Sequence, residues 1–131
     1  MLKKCNFDNL ENIILEEAYE FPPRGIHRVL YLLRIEKDGF IEEKIFEDNT
    51  SSTIYQTNQE NVEKLYNTLT DTIDNVVDVD VALDDISRNI SINYKNFLSE
   101  SIPSLAYGKD EKSIEEIIEE FLEKDCIKRE M

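Results

Sequence analysis

Four aspartates crowd one short stretch of the chain, Asp78, Asp80, Asp84 and Asp85. Oxygen ligands at that density suit a hard cation such as Ca2+ or Mg2+. The spacing is not that of a helix–loop–helix calcium loop, and no glycine follows to make that loop's sharp turn. A D-x-D pattern also arises readily by chance in an acidic chain. The single histidine, His27, stands at the start of an apolar run beside Arg28 and near Arg24. Nucleophilic catalysis would require a second group placed against that base. No Gly-x-Ser-x-Gly elbow supplies one. Cys5 and Cys126 lie near opposite ends of the chain, and with one histidine they match no zinc-ligand spacing. A carboxylate pair for glycoside hydrolysis is defined by separation in space. Yet the chain has no tryptophan, no glycine-rich loop and no phosphate-binding motif with which to hold a substrate. We therefore expect no enzyme, and assign no catalytic residue, cofactor or metal ligand.

The feature left standing is charge. The chain has 131 residues and a net charge of −14. From Asp71 to Asp85 there are six acids and no Lys or Arg. From Glu111 to Asp125 there are seven acids against Lys112 and Lys124, so the two windows carry −11 of the −14. Such charge costs stability through self-repulsion that cellular salt only partly screens. It also argues against direct binding to nucleic acid or to an anionic membrane, both of which require clustered Lys and Arg. Solubility alone would account for some of it, as would an exposed strand edge kept from pairing. Glu119 and Glu123, however, form an i,i+4 like-charge pair that has a local cost and no local benefit.

The elements that must position these acids follow from the apolar pattern. Ile26 to Phe46 reads as a β-hairpin, with Lys37, Asp38 and Gly39 as a three-residue loop and Gly39 in the left-handed position. This register sets Ile35 opposite Ile41, Tyr31 opposite Ile45 and Arg34 opposite Glu42; a two-residue loop would put apolar against charged residues. Before the hairpin, Asp8 and Glu11 can open a helix with Leu10, Ile13, Ile14 and Phe21 on one face, ended by Pro22 and Pro23. The segment could also run as an edge strand. Thr53 to Gln56 is a short strand. Thr57 and Glu60 form a capping box ahead of a helix carrying Val62, Leu65, Tyr66, Leu69 and Ile73.

Val76 to Leu83 alternates, placing Val77, Val79, Val81 and Leu83 on one face and the aspartates on a wet one. Ile86 to Tyr94 keeps a period of two, although Ile86, Ile90, Tyr94 and Phe97 also fit a helix. Its Ser and Asn content favours the strand. Asn96 to Ile102 reads as one helical turn before Pro103. Ser113 and Glu116 form a second capping box, opening a helix with Ile114, Ile117, Ile118, Phe121 and Leu122 as its stripe.

The fold expected is a single acidic α+β domain over residues 1–131, with an antiparallel sheet of four or five strands and two or three helices packed against it. Neither a secretory h-region nor a membrane-length apolar run is visible, so the expected location is the cytoplasm with reduced thiols. The expected function is non-enzymatic: an inhibitor that occludes a basic protein. A toxin-neutralising immunity protein or a phage-type nucleic-acid mimic that blocks a nuclease or effector would qualify, by size and charge alone. The contact residues expected are Asp78, Asp80, Asp84, Asp85, Glu115, Glu116, Glu119, Glu120 and Glu123, with Tyr55, Tyr66, Tyr94 and Tyr107 as candidate anchors. The alternative is a structural or regulatory domain that self-associates, and a lesser alternative is a divalent-metal enzyme using Asp78 to Asp85.

Overall fold

The hairpin forms in the register its apolar pattern requires. In the computed structural model, which describes residues 6–21, 26–46, 49–79, 86–95, 98–109 and 111–129, β2 (Ile26–Glu36) pairs with β3 (Phe40–Ile45). Ile35 faces Ile41, Arg34 faces Glu42 and Tyr31 faces Ile45. The Gly39 N–H donates to the Glu36 carbonyl at 3.0 Å, and Gly39 has φ +102°. A side chain is excluded there twice over. That φ disfavours any L-residue, and an added Cβ would lie 2.1 Å from the Thr57 carbonyl oxygen.

The segment before the hairpin is not a helix. Only one 3-10 turn forms, Phe7–Asn9, capped by the Asn6 side chain; then β1 runs over Leu10–Phe21. It is no edge strand either, because it lies between β2 and β6 (Ile86–Tyr94). The helical look has a physical source. Leu10 pairs with Tyr94 and Asn12 with Asn93, which leaves Glu11 as an extra residue in a bulge. The bulge turns Leu10 and Ile13, three apart, to the same face, and both are fully buried. Beyond it, Ile13 and Leu15 alternate as a strand should.

Among the described residues, β4 (Ser51–Gln56), β7 (Ser99–Pro103) and β9 (Ile127–Arg129) complete a seven-stranded antiparallel sheet in the order β7-β6-β1-β2-β3-β4-β9. The sheet is larger than the four or five strands expected. Two of its strands account for much of the difference: β1, read as a helix, and β7, read as a helical turn. In β7 the Ile102 side of the strand pairs with Ile90, and Pro103 ends an edge strand, where its missing N–H costs no ladder bond. The strand expected over Val76–Leu83 is reduced, among the described residues, to β5 (Asp78–Val79), paired with β8 (Ala106–Tyr107) in a separate two-stranded sheet. Val77 and Val79 are 61% and 39% exposed, so they do not face the core as expected; Val76 packs against it instead.

Among the described residues, two α-helices cover one face of the large sheet. Helix α1 (Gln59–Asp74) buries Val62, Leu65, Tyr66 and Leu69, as its spacing predicts. Its cap is Asn58 rather than Thr57: the Asn58 side chain accepts from the Asn61 N–H at 2.8 Å. Thr57 is used elsewhere, its hydroxyl donating to the Asp125 carbonyl at the end of α2 (Ile114–Asp125). This satisfies one of the carbonyls that a helix C-terminus leaves without a partner. Ile114, Ile117, Ile118 and Phe121 of α2 join the same core as Ile13, Leu33, Ile41 and Ile92 of the sheet. The opposite sheet face is mixed, with half-buried Ile14, Leu32 and Ile54 set among paired polar residues. Arg34 bridges Glu36 and Glu42 at 2.9 and 3.5 Å, Lys44 lies 3.8 Å from Glu42, and Asn93 donates to Asn12.

Candidate functional site

Helix α2 starts where the sequence says it should. The Ser113 Oγ accepts from the Glu116 N–H at 3.2 Å, and its hydroxyl donates to the Glu116 carboxylate at 3.3 Å. This cap fixes the phase of every acid that follows. With the apolar stripe turned inward, Glu116, Glu119 and Glu123 fall three and four residues apart along one exposed ridge. Glu119 is held above its ordinary pKa by partial desolvation and by Glu115, Glu116 and Glu123 around it. Glu120 differs: Lys112 reaches it at 2.7 and 2.8 Å and pulls its pKa down.

Between α2 and the sheet runs a groove of about 580 Å³. Leu15, Ile118 and Leu122 contribute apolar surface, and Tyr31 lies beside them. The acids are Glu115, Glu116, Glu119, Glu120 and Glu123 from α2, with Glu17 from β1 and Glu43 from β3. All five helix acids read from the sequence are therefore brought together. The two sheet acids were not foreseen. Glu17 was hidden by the helical reading of β1. Glu43 was legible in principle, because it sits between Ile41 and Ile45 on the core-facing side of its strand, where a charged residue is out of place.

Both sheet acids have partners. The Tyr31 hydroxyl donates to the Glu43 carboxylate at 2.6 Å. Burial, followed by this carboxylate, pushes the Tyr31 pKa far up, so the phenol stays a donor. The Arg88 Nε lies 3.8 Å from the Glu17 carboxylate. Glu115, half-buried, is raised mainly by desolvation and then by Glu17; Arg88 opposes the shift.

Of the other expected contact residues, Asp78 does not line this groove. Asp78 is exposed in β5, its carboxylate accepting from the Val79 N–H at 2.8 Å. Asp80, Asp84 and Asp85 lie outside the described residues, as do Cys5 and the side chain of His27. Two of the tyrosine anchors are unsuitable. Tyr66 and Tyr94 are 6% and 2% exposed, with hydroxyls 2.9 Å apart inside the core, so neither can reach a partner. They underlie a second depression of about 620 Å³ lined by Phe7, Asp8, Glu63, Asp74 and Glu100 among others. Tyr55 and Tyr107 are partly buried. Burial raises the Cys126 thiol to about 12, which removes it as a nucleophile near neutrality.

Among the described residues, no three His, Cys, Asp or Glu side chains are placed to hold a metal ion, and no helix is long and apolar enough to cross a membrane. Fold and groove together define an α+β protein with a large antiparallel sheet and an acid-lined cleft beneath its second helix. No family model matches the chain, and no curated protein or solved structure does either.

Proposed function

We propose that the protein is a non-enzymatic inhibitor that binds a basic protein and blocks its working surface with the α2 ridge and the groove beneath it. The observation that carries this reading is the lining of that groove: seven carboxylates around an apolar strip of Leu15, Ile118 and Leu122. Charged rims steer association and select the partner's sign, while apolar contacts at the centre supply holding energy. A nuclease or nucleic-acid-guided effector has the complementary surface, because its own substrate is a polyanion. Inhibition is then steric, and no covalent step is needed.

The test is the triple reversal Glu116→Lys, Glu119→Lys and Glu123→Lys, on side chains that are exposed and outside the core. Wild type and variant are compared as baits in cells of the source organism, at low and high salt, and the retained protein is assayed for inhibition. A basic enzyme held and inhibited by wild type, with association at least about tenfold slower for the variant at low salt, is the expected result. Equal retention of that enzyme by both proteins would overturn the reading.

A second reading, self-association, has one observation in its favour. Ile127 is 75% exposed on β9, the strand at one edge of the sheet. Sedimentation decides between them, since apolar self-association persists at high salt whereas charge-steered docking weakens.

A further inference from the structure

Both α-helices lie on one side of the large sheet, and among the described residues no α-helix covers the other side. The strand registers fix the rows of side chains on that open side. One row crosses the sheet as Ser91, Ile14, Arg34, Glu42, Ile54 and Arg129. The row beside it reads Glu16, Leu32, Lys44 and Ser52. With the row through Asn12 and Glu36, they hold three acids, Glu16, Glu36 and Glu42, against three bases, Arg34, Lys44 and Arg129. These rows are therefore neutral on a chain of net charge −14. A second copy of so acidic a protein meets least repulsion there.

The first row is also complementary to itself. Turned half a circle about an axis along the strands, between β2 and β3, it meets its own copy with Ile14 over Ile54 and Arg34 over Glu42. The same turn sets Leu32 over the stem of Lys44 and Glu16 over Ser52. Apolar then meets apolar and base meets acid, each contact occurring twice as a twofold interface requires. Water alone imposes no such symmetry. Stacked sheets cross at about 30°, and the pairs nearest the axis are displaced least by that twist. Arg34 is held by Glu36 and Glu42 of its own chain at 2.9 and 3.5 Å with 42% of its side chain exposed. Its guanidinium is thus set in place before a further carboxylate arrives. We propose that this open face binds a second copy of the chain, sheet against sheet, about that twofold axis. The six strands from β6 to β9 in sheet order, at ~4.8 Å spacing and over about five residues each, give roughly 500 Å² of flat contact per copy. That is the small end of specific interfaces, which sets the affinity in the micromolar range. The α2 groove lies on the other side of the sheet and stays open in such a dimer.

The test is sedimentation equilibrium of the full chain between about 5 and about 500 μM, where wild type should pass from monomer to dimer. Arg34→Glu and Glu42→Arg each set like charges across the axis and should weaken the dimer at least about tenfold. An equal mixture of the two variants restores both ion pairs across the axis, so a heterodimer should form at close to wild-type affinity. Ile54→Lys, which sets a charge over Ile14, should also weaken the dimer about tenfold, and carries the test if either charge variant fails to melt cooperatively. A wild type that stays monomeric over this range would overturn the proposal. A dimer indifferent to all three substitutions would overturn it too, by placing self-association on another surface such as the β9 edge. Two folded charge variants that do not rescue each other would do the same. The inference rests on the self-association reading and gives it a surface. No readout uses a basic partner, so the inhibitor reading stands or falls separately.

Discussion

At the scale of single residues, Gly39 shows how far one position can be dictated by geometry. Its φ of +102° and the Thr57 carbonyl beneath it leave room for a hydrogen and nothing larger. The same contact is held by a bond, the Thr57 N–H donating to the Gly39 carbonyl at 3.0 Å, so the tip of the hairpin is stapled to the entry of α1. Gly39→Ala must therefore distort either the turn or the helix entry. The expected cost is about 3 kcal/mol, read as a lower urea midpoint with an unchanged slope. A midpoint within error of wild type would show that the turn relaxes freely. Tyr31 and Glu43 illustrate the opposite case, a polar pair tolerated on the core side of two strands because each satisfies the other.

Among the elements, α2 was the most readable and β1 the least, and the difference is physical. A capped helix with an uninterrupted stripe announces both its start and its phase, which is why the acids of α2 fall where their spacing put them. A strand announces itself only through strict alternation. The Glu11 bulge broke that alternation at the point where Asp8 and Glu11 mimicked a helix start. β7 was hidden similarly: five residues with Ile102 as their one large apolar member give a period too short to detect. The hairpin was legible because only one register kept Ile35 and Ile41 from facing charged residues. The groove was half legible, its helix wall being visible in the sequence and its sheet wall depending on β1.

The charge on α2 has a consequence at this scale too. Glu119→Lys replaces like-charge pairs with Glu115 and Glu123 by opposite-charge ones. At low ionic strength it should stabilise the fold by a few tenths of a kcal/mol per pair. The gain in melting temperature should vanish as salt screens the ridge. A gain that persists in molar salt would mean that the lysine stem packs rather than pairs.

For the whole molecule, the titration behaviour points one way. Glu36, Glu115 and Glu119 all have folded pKa values raised above their ordinary 4.5, each chiefly by desolvation. A raised carboxyl contributes most to stability below its unfolded pKa, and that contribution is lost as pH rises through the folded value. Glu120, lowered by Lys112, acts in the reverse sense and loses its contribution only as pH falls through its own folded value, below 4.5. With a net charge of −14 adding general repulsion at neutral pH, the balance favours mild acid. The melting temperature should rise as pH falls from about 7.5 towards about 5. A calorimetric series flat or falling over that range would contradict this account.

The place of β1 in the sheet also bears on how the chain reaches its fold. β2 follows β1 closely in the chain, so the two can pair as soon as both are made, but the other neighbour of β1, β6, lies beyond the whole of α1. Until β6 arrives, an interior strand with Ile13 and Leu15 waits as a temporary edge, and open apolar edges invite pairing with other chains. Contacts so distant in sequence slow folding. The acids that guard the finished protein's surface, and the charge they carry through synthesis, also keep nascent copies of this chain apart while that edge is open.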